Sequence, residues 1–465
     1  VNQTPSETYR DNIATVDASG KRRWIYPSIP KGKFTTYRKW FSYLLILFLI
    51  GMPFVKVDGH PYFLLNVVDR HFILFGQPFW PQDLKILLLI LITFILFIIA
   101  FTSIWGRLWC GWACPQTVFL EMVFRRVEFA IEGDGLAQKK LNKAPWNLNK
   151  ISKKLSKHFI FVLLAYGVGH IFLSWIIGVD QLKRIVSEPI QDHLAGFIGI
   201  NFFSLMFYAV FSWFREQACV IVCPYGRFQS VLLDKNTTVI SYDFKRGEPR
   251  GKRSKAQDLS HQGDCVNCLQ CVRVCPTGID IRQGTQLECV NCTACIDACD
   301  HIMTKLKLPK GLIKFASYNQ ISQGFQKHFT TRVKAYIFVL TLLLGICVSL
   351  IFTRDSVHVT VTRVHGSVYQ ELADGSILNL YKIKFANNSF KEKTLTLKLS
   401  QDRGELRAPA QINIPSYNTQ EVMINVQLKK NELINKKLQI PLQVFENKQV
   451  ISEEKLTFIS PIQKP

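Results

Sequence analysis

The stretch DCVNCLQCVRVCPTGIDIRQGTQLECVNCTACIDACD, residues 264–300, carries eight of the chain's 13 cysteines. Its spacing is Cys265-x-x-Cys268-x-x-Cys271-x-x-x-Cys275-Pro276, repeated as Cys289-x-x-Cys292-x-x-Cys295-x-x-x-Cys299. Three thiolates two residues apart converge on one face of a cuboidal iron–sulfur cluster. The fourth, three residues further on, points away and completes the cluster of the other run. The spacing therefore predicts one four-iron cluster on Cys265, Cys268, Cys271 and Cys299, and a second on Cys289, Cys292, Cys295 and Cys275. Paired zinc sites are the rival, because they also use Cys-x-x-Cys. A third cysteine at the same interval and a proline after the fourth favour clusters. Cys299 departs from the pattern, being followed by Asp300. Two neighbouring clusters make an electron conductor.

A second cysteine pattern occurs twice. WGRLWCGWACPQTVFLE and WFREQACVIVCPYGRFQS share a tryptophan (Trp105, Trp213), an arginine (Arg107, Arg215) and Cys-x-x-x-Cys-Pro, with Cys110, Cys114, Cys219 and Cys223 as the thiols. In a helical turn residues i and i+4 share a face, so each pair can present two sulfurs together. Pro115 and Pro224 suit the first turn of a new helix. Soft thiolates of this kind suit Cu(I), zinc, an iron–sulfur cluster or a redox dithiol, as one tetrathiolate site or two. A small buried helix-packing residue is the bland alternative, and for Cys347, alone in an apolar run, it is the expectation.

These thiols need a scaffold, and composition says which. The 465 residues are 48% hydrophobic with 34 Phe, and net charge is +23. Five apolar runs, Phe41–Val57, Leu84–Trp105, Phe159–Val179, Leu194–Phe214 and Ala335–Thr353, approach the ~20 residues that a bilayer core requires. The first follows a long polar stretch, unlike a cleaved signal peptide. Basic residues cluster before the first run (Lys21 to Lys39), between the second and third (Arg107 to Lys157) and between the fourth and fifth. The positive-inside rule then puts the amino terminus and the cysteine-rich segment in the cytoplasm and the carboxy terminus outside. Loop charge explains the basic surplus without nucleic acid, and a reducing compartment excludes disulfides. Residues 1–20 read as an unstructured tail.

Beyond Thr353 the pattern changes. HVTVTRV, LNLYKIKF, KTLTLKLS, EVMINVQL and LQIPLQVF alternate apolar and polar residues, with ADGS and FENK as turns, and predict an immunoglobulin-like β-sandwich. The expectation is a multi-domain membrane protein. Residues 1–39 form a cytoplasmic tail, and 40–235 hold helices one to four of a five-helix transmembrane bundle. Residues 236–333 form a cytoplasmic bacterial-type two-cluster ferredoxin domain (α+β), 334–353 the fifth helix, and 354–465 the periplasmic sandwich, read as a docking module.

Other polar residues are weaker candidates. His170, mid-span, is a metal or haem ligand or a satisfied packing residue. His60, His71 and His193 lie in the outer loops as candidate metal ligands, and His261 and His301 flank the clusters. Glu121 is a buried acid or a partner of Arg125. No G-x-G-x-x-G follows a strand, so an external electron donor is required.

The ordered set of motifs resembles the CcoG family, also called FixG or RdxA, membrane polyferredoxins linked to assembly of cbb-type cytochrome c oxidase. The resemblance rests on RRWIYPSIPKGKF, WCGWACPQTVFLE, CVIVCPYGRFQS, the double cysteine run and DGSILNLYKIKFAN. It covers nearly the whole chain. It implies two [4Fe-4S] clusters on the eight cysteines in a bacterial cytoplasmic membrane. It further implies reduction of Cu(II) to Cu(I), with Cys110, Cys114, Cys219 and Cys223 nearest the copper. Implied partners are copper ions, a cytoplasmic electron donor, oxidase subunits or copper chaperones, and membrane lipid. The alternatives are a non-catalytic redox-sensing assembly factor and a quinone-linked ferredoxin.

Overall fold

A computed structural model of the chain describes residues 13–17, 19–57, 59–67, 71–79, 83–252, 262–325, 329–354, 356–364, 368–389, 391–400, 404–416, 418–429, 437–447 and 449–461. Among these, four helices are long and apolar enough to cross a membrane: Leu84–Trp105, Leu148–Ile177, Ile190–Phe214 and Thr331–Phe352. Only 6% to 28% of each apolar window is buried inside the protein, so these faces call for a lipid solvent.

The first expected span does not join that set. Its helix runs Lys33–Gly51 and takes in Lys33, Arg38 and Lys39, and the chain leaves it through a 3-10 turn, Met52–Phe54, and a short strand, Lys56–Val57. Pro53 lacks the N–H that would continue the helix. The third span also shifts. Its helix begins at Leu148 and ends at Ile177, where Gly178, at φ +83°, breaks it before a separate amphipathic helix, Val179–Ser187.

The chain divides into two compact units. The first comprises residues 1–52, 90–174 and 180–345. Its cysteine-rich part is built on an antiparallel strand pair, Val239–Tyr242 with Ile313–Ala316, and on helices Gln270–Arg273 and Ala294–Lys305. Ile240, Ile281, Ile296, Met303 and Leu312 form its core together with Cys265, Cys271 and Cys295. The described part of the expected loose tail is ordered against this unit. Thr15 is fully buried and Ala14 packs on the core; past the expected tail, the Ser28 N–H donates to the Arg273 carbonyl at 2.8 Å. Such long-range contacts leave no local periodicity to read.

The second unit comprises residues 53–89, 175–179 and 346–465. It holds two facing sheets. One orders its strands 405–407, 419–428, 377–387, 357–363, with 370–371 also on 377–387; the other orders them 412–414, 393–399, 437–446, 449–459. Phe385, Ile383, Ile424, Leu442, Val444 and Leu456 are completely buried between them. All five alternating stretches are strands. Gln449–Ile459 was not legible, because Glu453, Glu454 and Lys455 interrupt its alternation and a register shift at Val444/Phe445 displaces its pairing.

Candidate functional site

Both cysteine runs fold the same way. Asn267 and Leu269 in the first run, and Asn291 and Thr293 in the second, occupy the left-handed region with φ between 53° and 66°. Asn tolerates it, whereas Leu and β-branched Thr pay about 1 kcal/mol or more each. Recurrence of this strained pair at matching positions marks both loops as wrapping something. Leu269 then starts helix Gln270–Arg273 and Thr293 starts helix Ala294–Lys305.

The wrapping leaves two cavities. Cys265, Cys268, Cys271 and Cys299 line one, with Tyr242 and Arg282. Cys275, Cys289, Cys292 and Cys295 line the other, which Cys271 also borders. The fourth cysteine of each run thus crosses to the other run's cavity. Burial pushes the Cys271, Cys289 and Cys299 thiols up to about 12 and Cys292 to about 11, and raises Cys275 and Cys295. Thiols this hard to ionise stay protonated until a bound metal deprotonates them. Four sulfur donors around each cavity therefore fit a four-iron cluster in each.

The repeated thiol motifs come together beside the second cavity. Cys110 sits in helix Leu108–Trp112, and Cys114 occupies the N-cap position of helix Pro115–Val118 without a side-chain capping bond. Cys219 lies in a π-helical turn, Ala218–Val222, and Cys223 caps helix Pro224–Val231 and accepts the Gly226 N–H at 3.4 Å. Each pair therefore stands at a break between helices, with its proline at the start of the new one. Cys110 shares one buried cluster with Val274, Val290, Cys292 and Ala294. Gly111 lies where a Cβ would collide with the Val290 carbonyl, and the Arg38 Nε donates to the Gly111 carbonyl at 2.7 Å.

Burial pushes Cys110 to about 11 and Cys219 to about 12; charge on Cys114, Cys110 or Cys223 would further oppose ionisation of Cys219. The four thiols are thus one neighbourhood. Among the described residues no three Cys, His, Asp or Glu side chains converge on a single metal ion, the eight cavity cysteines included.

Residues outside the motifs hold this neighbourhood. The Cys110 thiol donates to Gln229 Oε1 at 2.8 Å, and Gln229 Nε2 donates to Thr102 Oγ1 at 2.9 Å and the Tyr225 hydroxyl at 2.8 Å. Gln229 is fully buried. Its place six residues past Cys223 was the only hint in the sequence.

The repeated arginines diverge. Arg107 donates to the Leu287 carbonyl, whereas Arg215, at φ +54°, forks onto Glu128 at 3.1 and 2.7 Å. Glu121 pairs with Arg125, which also reaches Glu216 at 3.4 Å.

The histidines scatter. His170 Nδ1 lies 2.8 Å from the Tyr166 carbonyl one turn back, and His193 pairs with Glu188. His301 is exposed on helix Ala294–Lys305, His60 and His71 lie on short strands, and His261 and the side chain of His71 lie outside the described residues. Cys347 is buried along the last apolar helix.

Three family models match: a 4Fe-4S binding domain over residues 87–143, a 4Fe-4S dicluster domain over 214–318, and an IG-like fold at the C-terminal of FixG over 347–461. The chain is 32% identical over 399 residues to Protein RdxB of Cereibacter sphaeroides, covering 82% of this chain and 83% of that one. It is 32% identical over 424 residues to the nitrogen fixation protein FixG of Rhizobium meliloti, covering 82% and 79%. The crystal structure of a FixG-related protein from Vibrio parahaemolyticus aligns over 23% of this chain and 100% of its own, at 15% identity and a TM-score of 0.21.

Proposed function

Because the chain belongs to the FixG and RdxA family of iron–sulfur proteins, we propose that it reduces Cu(II) to Cu(I) at Cys110, Cys114, Cys219 and Cys223, for maturation of a cbb-type cytochrome c oxidase. The observation that carries this reading is the shared burial of Cys110 and Cys292, which sets the thiol neighbourhood against the second cysteine cavity. Cys265, Cys268, Cys271 and Cys299 hold one cluster; Cys275, Cys289, Cys292 and Cys295 hold the other. When bound, such clusters supply one-electron storage and transfer.

The protein's own residues do the rest. Asn267, Leu269, Asn291 and Thr293 bend the backbone around each cavity. Gln229 keeps the Cys110 thiol in place until copper, as substrate, displaces its proton. Soft sulfur donors favour Cu(I), so the site biases the metal toward the reduced state; each Cu(II) takes up one electron. The basic loops support a cytoplasmic cysteine domain and a periplasmic sandwich in a bacterial inner membrane. Exposed Leu44, Leu47, Phe48 and Ile50 support a fifth crossing by helix Lys33–Gly51.

The test uses the full chain purified without oxygen, reduced chemically, freed of reductant and mixed with Cu(II). A Cu(I)-selective chelator is expected to report about two Cu(I) per chain, one per cluster. The variant C110S/C114S/C219S/C223S is expected to form none and to keep both clusters' absorbance. Copper reduction surviving that change removes the thiols from the route; none in the native chain sinks the cupric reading.

One observation favours a second reading of the same thiols. The 4Fe-4S binding model over residues 87–143 spans Cys110 and Cys114 and no other cysteine. The four thiols then hold a third cluster, and iron rises from roughly eight to roughly twelve per chain, with the excess lost in the quadruple variant.

A further inference from the structure

Away from the thiols, two large cavities meet at one residue. The first, about 590 Å³, is lined by Trp24, Trp146 and Trp213 and by the residues of a buried ion network. The second, about 600 Å³, lies between helices Leu148–Ile177 and Leu194–Ala209 and is lined by Val162, Ala165, Phe197, Ile198, Phe202 and Leu205. Tyr208 borders both. Each volume lies within the ordinary range for small-molecule sites. A polar cavity and an apolar one between membrane-crossing helices, with Tyr208 in the wall of both, fit an amphiphile, head in one and tail in the other.

The charges select the head. Every basic side chain in the polar wall already has oxygen partners. Lys154 reaches Glu132 at 2.9 Å, Lys157 reaches the same carboxylate at 3.0 Å, and Arg215 forks onto Glu128. Lys150 Nζ donates to the Asn142 carbonyl at 3.0 Å and the Ala144 carbonyl at 2.6 Å. A phosphate head would have to break these pairs at the cost of stranding buried carboxylates. A flat, neutral head would not. It would stack on the indole rings and bond to the half-buried pair where the cavities meet, the Tyr208 hydroxyl and His158 Nδ1, 2.8 Å apart. Among the described residues the other His158 ring nitrogen has no hydrogen-bond partner and remains for a ligand.

We propose that these paired cavities bind an isoprenoid quinol, ring beside His158 and Tyr208 and tail in the apolar cavity, as the electron source of the protein. The inference rests on the copper-reducing reading, which requires a donor and finds no nucleotide or flavin motif to supply one. A quinol is a donor that reaches the site from within the bilayer. Oxidation of one quinol to quinone releases two electrons, which reduce two Cu(II) to two Cu(I), and two protons, which pass to solvent beginning at the His158 imidazole.

The test titrates the purified, cluster-loaded chain in detergent with a short-tail benzoquinone and follows tryptophan fluorescence. Saturable quenching is expected from the three cavity tryptophans. Tyr208→Phe removes the hydroxyl, and Ala165→Phe adds a ring within the apolar cavity; each is expected to weaken binding about tenfold, with iron content reporting that the variant is folded. Non-saturable quenching overturns the proposal. So does saturable quenching that neither variant shifts, or a tightly held phospholipid instead of quinone in extracts of the protein. Copper reduction by the chemically pre-reduced chain is measured separately, so either reading can fail alone.

Discussion

The Asp297 carboxylate accepts hydrogen bonds from the Thr35 backbone N–H and hydroxyl, each 2.6 Å long, across 262 residues of sequence. Helix Lys33–Gly51 has only Gly32 before it, which offers no capping side chain. Asp297, between Cys295 and Cys299, supplies the cap and also accepts the Phe34 N–H at 3.2 Å. The first apolar helix is thereby fastened to the helix that carries Cys295 and Cys299. Asp297→Ala is expected to cost about 1–2 kcal/mol, with Asp297→Asn recovering part of it. The denaturation midpoint of the detergent-solubilised chain checks this, and an unchanged midpoint contradicts it.

The crossing of the fourth cysteines makes a sharp expectation about cluster loss. Cys275 lies in the first run but lines the cavity of Cys289, Cys292 and Cys295. Cys275→Ser should therefore affect the same cluster as Cys292→Ser, and Cys299→Ser the same one as Cys268→Ser. Electron paramagnetic resonance of the four reduced variants decides the point. Grouping of Cys275→Ser with Cys268→Ser would rule out the crossed assignment.

Burial sets the pH response of the interface thiols. Cys110 is pushed to about 11 and Cys219 to about 12. Both lie above the ordinary thiol value, so the protonated form persists through neutral pH and ionises only as pH approaches these values. Alkylation of Cys110 and Cys219 in metal-free protein, followed at each site by mass spectrometry, is therefore expected to be slow at pH 7 and to climb about tenfold per pH unit beyond pH 9. Unfolded chain should level off near pH 9 instead. Folded protein that levels off equally early refutes the buried-thiol picture.

In the second unit, Arg354 leaves the last apolar helix and forks onto Asp83, which is 2% exposed. His358 Nε2 lies 3.0 Å from the same carboxylate, and Arg354 also donates to the Pro78 carbonyl at 2.6 Å. Asp83→Ala leaves the guanidinium uncompensated and is expected to cost about 3 kcal/mol. Double substitution with Arg354→Leu should recover much of that loss. A thermal-melt cycle over the two single variants and the double variant measures the coupling.

Cysteine spacing alone announced the double-cluster module, because cluster geometry constrains ligand intervals within a short loop. Apolar run length announced the helices Leu84–Trp105, Leu148–Ile177, Leu194–Ala209 and Thr331–Phe352 to within their ends, since the bilayer imposes a length. Period-two alternation announced most of the sandwich and failed at Gln449–Ile459, where charge interrupts one face. These are local or periodic constraints. Tertiary structure alone decided that Cys110 and Cys219 share a neighbourhood, that Gln229 bonds the first thiol, that Asp297 caps a helix far upstream and that Tyr208 borders two cavities. Each of those depends on which distant segments pack together, and packing partners are chosen by the sum of many weak contacts that no single stretch of residues carries.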